Sequence, residues 1–307
     1  KVAGAATLAM PNDLIAFNEE CERRRWSDGL PLVPPTVSLV EQMLAGSKRA
    51  RHEVVARVAP GFGEASVERI AINAVMAGCR PEYLPVLIAA VEAVAEQPFN
   101  IQGIQATTNS AAPWIIVNGP LAATLGLNAG LNCLGQGTRA NATLGRALRL
   151  ILQNIGGALP GEMDRATHGQ PGKYSFCCAE NEAQSPWPPL HVDRGFRREQ
   201  STVTVVGAAG THNMNTHAKD VDDLLRVIAD TMANPTSNDY WIGGEPWVVF
   251  SPEHAEVLHR GGYDKAAIKQ RLWEQSKLAA GRRSDVDYAR TRRARHAEPP
   301  FERGTRA

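Results

Sequence analysis

One cysteine, Cys79, lies where its thiol could act as a nucleophile. Gly78 is a typical helix-ending residue and Pro81 is a typical first-turn residue, so the apolar stretches on either side predict two helices that flank Cys79. The positive end of a helix dipole and the adjacent Arg80 both favour the thiolate, which is the reactive form. Glu82, within one helical turn, would relay a proton. The alternative is that Cys79 packs as a small buried hydrophobic residue.

Three histidines form a second candidate group. His212 and His217 follow a predicted strand at 202–207 and precede a predicted helix, and His254 begins a helix after a predicted strand at 247–250. If the two strands are parallel neighbours, all three imidazoles lie at one edge of a sheet, where α/β folds place ligands. They would then serve as general acids and bases. The alternatives are a metal site on His212 and His217, joined or not by His254, and loop histidines that bond only the backbone.

Amide and charged side chains supply candidate substrate contacts. Asn109 and Asn118 are predicted to end two strands, and Asn141 and Arg146 belong to an amphipathic helix predicted over 141–155. Such groups bind a carboxylate or a carbonyl oxygen, although asparagines at strand ends also serve turns. The proline- and glycine-rich stretch 160–195 adds Lys173, Glu180 and two second-rank thiols, Cys177 and Cys178.

The order of predicted elements indicates an α/β (or α+β) fold with two lobes. A helix-rich N-terminal lobe with a mixed sheet is predicted over 1–195, and a smaller C-terminal α/β lobe over 196–280, where strands and helices alternate. Residues 281–307 are rich in arginine and poor in apolar side chains. We expect this basic tail to pack on another subunit.

Composition argues against several classes of protein. A net charge of +1 and a hydrophobic fraction of 43% are typical of a globular protein and do not suggest binding to nucleic acid or to a membrane surface. No stretch has the length and apolarity of a transmembrane span. Five cysteines, an odd number, fit the reducing cytoplasm better than a disulfide scaffold. The sequence contains no nicotinamide, flavin or phosphate-loop motif.

Two segments resemble those of a known bacterial family. They are WSDGLPLVPPT at 26–36 and AVMAGCRPEYLPV at 74–86, and residues 141–147 and 252–255 are similar to its other marked segments. The family is associated with cysteine or selenocysteine proteins that carry a UGSC motif. The resemblance implies thiol or selenol chemistry and a hetero-oligomer with a UGSC-type partner. Because this chain lacks a Cys-Gly-Ser-Cys motif, it also implies that the chain supplies only part of a site.

These observations predict an enzyme that cleaves a bond in a small-molecule substrate, as a lyase or a hydrolase. We expect it to be a homo-oligomer or a hetero-oligomer with the UGSC-type partner. Cys79 would be the nucleophile, Glu82 its proton relay and the histidines an acid/base cluster. Asn109, Asn118 and Arg146 would orient the substrate. A metal-dependent enzyme, with a divalent ion as cofactor, is one alternative. A non-catalytic or partly catalytic subunit of a complex is the other.

Overall fold

The structure, a computed structural model, describes residues 4–238, 244–287 and 289. It confirms the α/β (or α+β) class. The chain divides into two compact units. The first contains Lys1–Glu182 and Pro189–Thr211, and the second contains Ala183–Pro188 and His212–Ala307.

The first unit contains most of the regular structure. Its elements in chain order are α1 (Leu14–Arg23), α2 (Val37–Leu44), β1 (Val54–Val58), β2 (Gly63–Ser66), α3 (Val67–Ala77), α4 (Leu84–Ala95), α5 (Ile101–Ala106), β3 (Ala112–Asn118), α6 (Pro120–Thr124), α7 (Arg139–Asn154), β4 (Cys177–Ala179), α8 (Leu190–Asp193) and β5 (Thr202–Ala208). Short 3-10 turns at Pro81–Tyr83, Gln97–Phe99 and Pro171–Lys173 connect some of them. Side-chain caps at Asp13, Thr36 and Ser66 begin α1, α2 and α3, because each oxygen accepts an otherwise unpaired backbone N–H.

A three-stranded sheet with the order β4-β3-β5 is the centre of the first unit. β3 pairs with β4 in parallel, with Ile115 opposite Cys177, and with β5 antiparallel. Side chains alternate across a strand, so one face of the sheet contributes Ile115 and Val117 to the main core, on which α3, α4 and α7 pack. The stretch 104–108, which the sequence predicts as a strand, lies in and after α5 instead.

Helix α7 joins the sheet to the helical layer at a close approach. A Cβ at Gly145 would meet the backbone N of Phe176 at 2.5 Å and the hydroxyl oxygen of Ser175. Glycine therefore lets α7 lie against the chain that enters β4. Ser175 Oγ donates to Ala142 O (2.8 Å), which fixes the start of the strand.

The second unit differs from its prediction. Its described residues include α9 (Val221–Met232), α10 (Pro252–Arg260), α11 (Lys265–Gln275) and a 3-10 turn at Ala280–Arg282. The three α-helices pack through Leu224, Leu225, Leu258 and neighbours. The predicted strand at 247–250 is irregular in the structure. β5, predicted to open the C-terminal lobe, pairs with β3 in the first unit. Of the tail 281–307, residue 288 and residues 290–307 lie outside the described residues.

Within the described part of the chain, no single helix has the length and apolarity needed to cross a membrane. One pair of consecutive helical segments, Pro81–Ala95 and Gln97–Ala106, meets both criteria when taken together, and the two segments are bent by 71° at the break between them. Its first half contains α4, whose Leu84, Leu87 and Val91 are completely buried in the core.

Candidate active site

The face of the sheet that points away from the helices carries the chemistry-bearing side chains. We call it the outer face. Alternation and register assign to it Trp114, Ile116 and Asn118 of β3, Cys178 of β4 with Glu180 just beyond, and Thr202, Thr204 and Val206 of β5. None of these residues belongs to the main core cluster. Because β3 and β4 are parallel, Asn118 and Glu180 follow their carboxyl ends, the edge where α/β sheets bind ligands.

Two thiols meet on the outer face. Cys178 is buried, whereas Cys133 is partly exposed. The thiol of Cys178 donates a hydrogen bond to the sulfur of Cys133, and this bond, helped by the N–H groups of Cys133 and Leu134, lowers the pKa of Cys133 to about 6. The same hydrogen bond, with burial and the charge of Cys133, raises the pKa of Cys178 well above its usual range. The two thiols therefore titrate as a pair, in which the first proton is lost more readily than from an isolated cysteine and the second less readily.

The Cys133 loop, residues 126–138, contains no helix or strand, and one buried asparagine holds it. Asn141 Nδ2 donates to Cys133 O and to Asn128 O, both at 2.9 Å, and its Oδ1 accepts from Asn128 N at 2.9 Å. Asn141 is 3% exposed. Its contacts therefore indicate a positioning residue for the Cys133 loop, in place of the predicted substrate contact.

Cys79 lies between α3 and the Pro81 turn, as predicted, but not as the predicted thiolate. Gly78 ends α3 in the left-handed conformation with φ 85°. The thiol of Cys79 is buried and donates to Thr143 O at 3.3 Å. Burial raises its pKa to about 12, against which Arg139 and Arg146 act only weakly. The expected helix dipole is overridden by desolvation, which penalises the charged form.

Two predicted partners of Cys79 have other contacts. Glu82 is exposed and lies 3.9 Å from Arg80. Arg146 forms two parallel hydrogen bonds with Asp28 (2.8 and 2.9 Å), and its Nη2 also donates to Leu30 O and Pro31 O. Arg146 thus fastens the extended segment 26–36 to α7.

Two more predicted contacts lie elsewhere in the first unit. Lys173 Nζ is 2.7 Å from Asp164 Oδ1, in a buried ion-pair network with Arg149. Asn109 lies before β3, whereas Asn118 ends it, and the seven residues of β3 span roughly 20 Å. The structure therefore does not bring Asn109 and Asn118 together.

Asn118 and Glu180 do meet. Asn118, completely buried, donates from Nδ2 to Glu180 Oε2 at 2.5 Å and to Glu182 Oε1 at 2.9 Å. Backbone N–H groups of Gly119 and Leu190 donate to the same two carboxylates, both at 2.7 Å. His191, whose side chain is completely buried, lies with Nδ1 3.8 Å from Glu182 Oε1.

The three predicted histidines belong to the second unit. His212 and His217 are exposed in an irregular segment after β5, and His254 is half-buried in the first turn of α10. Across residues 4–238, 244–287 and 289, no three His, Cys, Asp or Glu side chains are grouped as a metal ion would require. Their acid/base and metal roles remain predictions.

Sequence reasoning missed Cys133, Glu182 and His191. Cys133 lies in a stretch of glycine, leucine and asparagine with no periodic pattern. The available signal was the Cys-Cys-Ala-Glu order at 177–180, since alternation in a strand puts Cys178 and Glu180 on one face and Cys177 on the other. Comparison of the chain with family models, with curated proteins and with solved structures found no match.

Proposed function

We propose that the protein is an enzyme that cleaves a bond in a small molecule, as a hydrolase or lyase, with Cys133 as its nucleophile in place of Cys79. The observation that carries this proposal is the position of Cys133, a partly exposed cysteine whose sulfur accepts a hydrogen bond from Cys178 that lowers its pKa. A thiolate of this kind attacks electrophilic carbon, and a buried thiol with a raised pKa does not.

The coupling of the two thiols supports a way to protonate the leaving group. When the Cys133 sulfur bonds to an acyl carbon, its negative charge is lost. The hydrogen bond to Cys133 and the charge of Cys133, two of the causes that raise the pKa of Cys178, are lost with it, whereas burial remains. The indole N–H of Trp114 also contacts Cys178 and favours its thiolate. The proton of Cys178 can therefore pass to the departing group. Water then attacks the acyl carbon and gives a proton back to the Cys178 thiolate, so that the carboxylic acid leaves and Cys133 returns to its thiolate.

The experiment is an acyl-transfer burst with p-nitrophenyl acetate as the probe. We expect the purified protein to release about one p-nitrophenolate per chain in a fast phase, because the thiolate is acylated before water regenerates it. Cys133→Ser should abolish this phase, whereas the matched variants Cys79→Ser and Cys21→Ser should keep it. A burst that survives in Cys133→Ser would refute the proposal.

A second candidate function is a subunit whose site is completed by a partner. The observation that favours it is Leu131, which is 97% exposed and lies two residues before Cys133. Leu134, in the same loop, is 45% exposed. Clusters of exposed apolar side chains are typical of surfaces that contact another protein. Sedimentation of the wild-type protein and of Leu131→Asp tests this function. An unchanged oligomeric state together with an unchanged burst excludes it.

A further inference from the structure

The carboxylates next to the thiol pair form a site with unused acceptors. Asn118 Nδ2 occupies one oxygen of each carboxylate, and backbone N–H groups bond the same oxygens. The other oxygens, Glu180 Oε1 and Glu182 Oε2, accept no hydrogen bond from the described residues. Both carboxylates are therefore fixed in orientation with one oxygen each available to a ligand.

Three neighbouring polar atoms are buried without a hydrogen-bond partner among the described residues: Asn118 Oδ1, His191 Nδ1 and Thr202 Oγ1. Asn118 and Thr202 are opposite each other in the β3–β5 register, on the outer face. His191 Nε2 lies 3.4 Å from Arg198 O. Because a carbonyl only accepts, Nε2 carries a proton in this contact, and Nδ1 is the ring atom on the side of Glu182. Unsatisfied buried atoms of this kind are rare in folded proteins and call for a bound group.

The charge of the cluster is uncompensated. Over the described residues, neither Glu180 nor Glu182 forms an ion pair with a lysine or arginine, and the 3.8 Å contact of Glu182 with His191 is its one ionic neighbour. Glu182 keeps 22% of its side-chain surface exposed. Half-buried carboxylates without a counter-ion are costly, so the cluster is suited to a cation that also donates hydrogen bonds.

We propose that Asn118, Glu180, Glu182 and His191 bind the protonated amino group of a small primary amine, as the recognition site for the substrate of Cys133. An –NH3+ group brings one positive charge and three donors, which match the two carboxylate oxygens and Asn118 Oδ1. A divalent metal ion fits less well, because the described residues contain no group of three His, Cys, Asp or Glu side chains close enough to coordinate one. This inference rests on the proposed function only for the link to Cys133.

The spacing on β4 sets the size of the substrate. Cys178 and Glu180 are two residues apart on one face, a separation of about 6.6 Å along the strand. Cys133 is hydrogen-bonded to Cys178. An amine whose reactive carbon lies two to four bonds from its nitrogen would therefore reach the thiolate while its ammonium group remains at the cluster.

Direct binding is tested by thermal unfolding with n-propylammonium, n-propanol, tetramethylammonium and magnesium ions at matched ionic strength. We expect propylammonium alone to raise the unfolding midpoint, because it alone combines the charge with N–H donors and a ligand stabilises the state that binds it. The gain should be lost in the isosteric double variant Glu180→Gln/Glu182→Gln. It should persist in Glu19→Gln/Glu199→Gln, which changes the net charge equally at exposed positions. Measured on the wild-type protein, a midpoint shift from tetramethylammonium equal to that from propylammonium would overturn the proposal. A larger shift from magnesium than from propylammonium would overturn it as well.

The link to the thiol is tested by labelling with aminoethyl, hydroxyethyl and sulfonatoethyl methanethiosulfonates. In each reaction the Cys133 thiolate forms a disulfide with the sulfenyl sulfur, and methanesulfinate leaves. We expect the aminoethyl reagent to label Cys133 about tenfold faster than the hydroxyethyl reagent, since a cleft of one charge sign concentrates the opposite ion. The preference should fall to about one in the double variant. Equal labelling rates for the aminoethyl and hydroxyethyl reagents would refute the amine site. If Cys133 reacts with none of the reagents, the proposed function is refuted, and the thermal unfolding test alone decides whether the amine binds.

Discussion

Glu180 follows Cys178 by two residues on the outer face, and Ala179 between them faces the core. A short stretch of three residues therefore places a thiol and a carboxylate next to each other on the same face of the sheet. Asn118 of the neighbouring strand bonds the carboxylate at 2.5 Å, and Cys133 of the loop bonds the thiol. Each half of the candidate site is consequently supported by a different part of the first unit.

The alkylation rate of Cys133 should follow the ionisation of the pair. Because the pKa of Cys133 is lowered to about 6, the thiolate fraction should rise about tenfold per pH unit below pH 6 and level off above pH 7. Iodoacetamide labelling followed by peptide mapping measures this profile. A profile that keeps rising to pH 9 would show that Cys133 is an ordinary thiol.

Removing the donor at Cys178 should raise the pKa of Cys133. Cys178→Ala removes the largest cause of the lowered pKa, so the labelling profile should move toward about pH 8.5, the value of a free cysteine. Cys178→Ser is the matched control, since the serine hydroxyl still donates a hydrogen bond to Cys133. Its labelling profile should lie between those of the wild-type protein and of Cys178→Ala. Identical profiles for the alanine and wild-type proteins would contradict the hydrogen bond as the cause.

Cys79 should remain unmodified under the same conditions. Its pKa of about 12 leaves only a very small thiolate fraction at pH 7.5, and the thiol is buried. Mass spectrometry of the native protein after a short treatment should therefore find the label on Cys133 and none on Cys79. Rapid labelling of Cys79 in the folded protein would restore it as the nucleophile.

Asn141→Ala should impair the thiol of Cys133 indirectly, because Asn141 bonds the backbone of the Cys133 loop. The variant loses three hydrogen bonds that fix the Cys133 loop, at a cost of about 2–3 kcal/mol in the free energy of unfolding. Denaturant unfolding measures that loss. A positioning role also predicts a labelling profile displaced to higher pH, because the loop N–H groups no longer point at the sulfur. A loss of stability with an unchanged profile would limit Asn141 to a structural role.

Arg146 should matter for stability. Arg146→Ala leaves Asp28, whose side chain is 4% exposed, without its partner, so we expect a loss of about 3 kcal/mol in the free energy of unfolding. Arg146→Lys keeps the charge but loses the two-pronged geometry and should cost less, about 1–2 kcal/mol. The acyl-transfer burst of the folded lysine variant should equal that of the wild type. A stable lysine variant without a burst would return Arg146 to the substrate site.

The local signals in the sequence predict much of the fold. The caps at Asp13, Thr36 and Ser66, the glycine stop at Gly78 and the periodicity of α7 all correspond to observed element boundaries. The predictions of two strands were wrong. Residues 104–108 are too few to distinguish a short helix from a strand by periodicity, and residues 247–250 find no strand partner in the described structure.

The site was harder to predict because it depends on long-range pairing. Asn118 was chosen as a polar residue at a predicted strand end and Glu180 as a carboxylate in the stretch 160–195. They meet because β3 and β4 are parallel. Cys79 had the better local context for a thiolate, yet its burial depends on α7, more than sixty residues further along the chain. Cys133, the thiol whose pKa is lowered, owes most of that shift to Cys178, a residue 45 positions away in the sequence.

The close approach of α7 at Gly145 has an evolutionary consequence. By fixing the chain at Phe176, it determines which of two adjacent cysteines faces which side of the sheet. One residue inserted between Ser175 and Cys177 would shift the register of the strand by one, so every side chain that follows would change to the other face of the sheet. Cys177 would then replace Cys178 beside Cys133, and the carboxylate of Glu180 would face the hydrophobic core. Proteins that share this chemistry should therefore tolerate changes of residue type in this stretch far better than changes of its length.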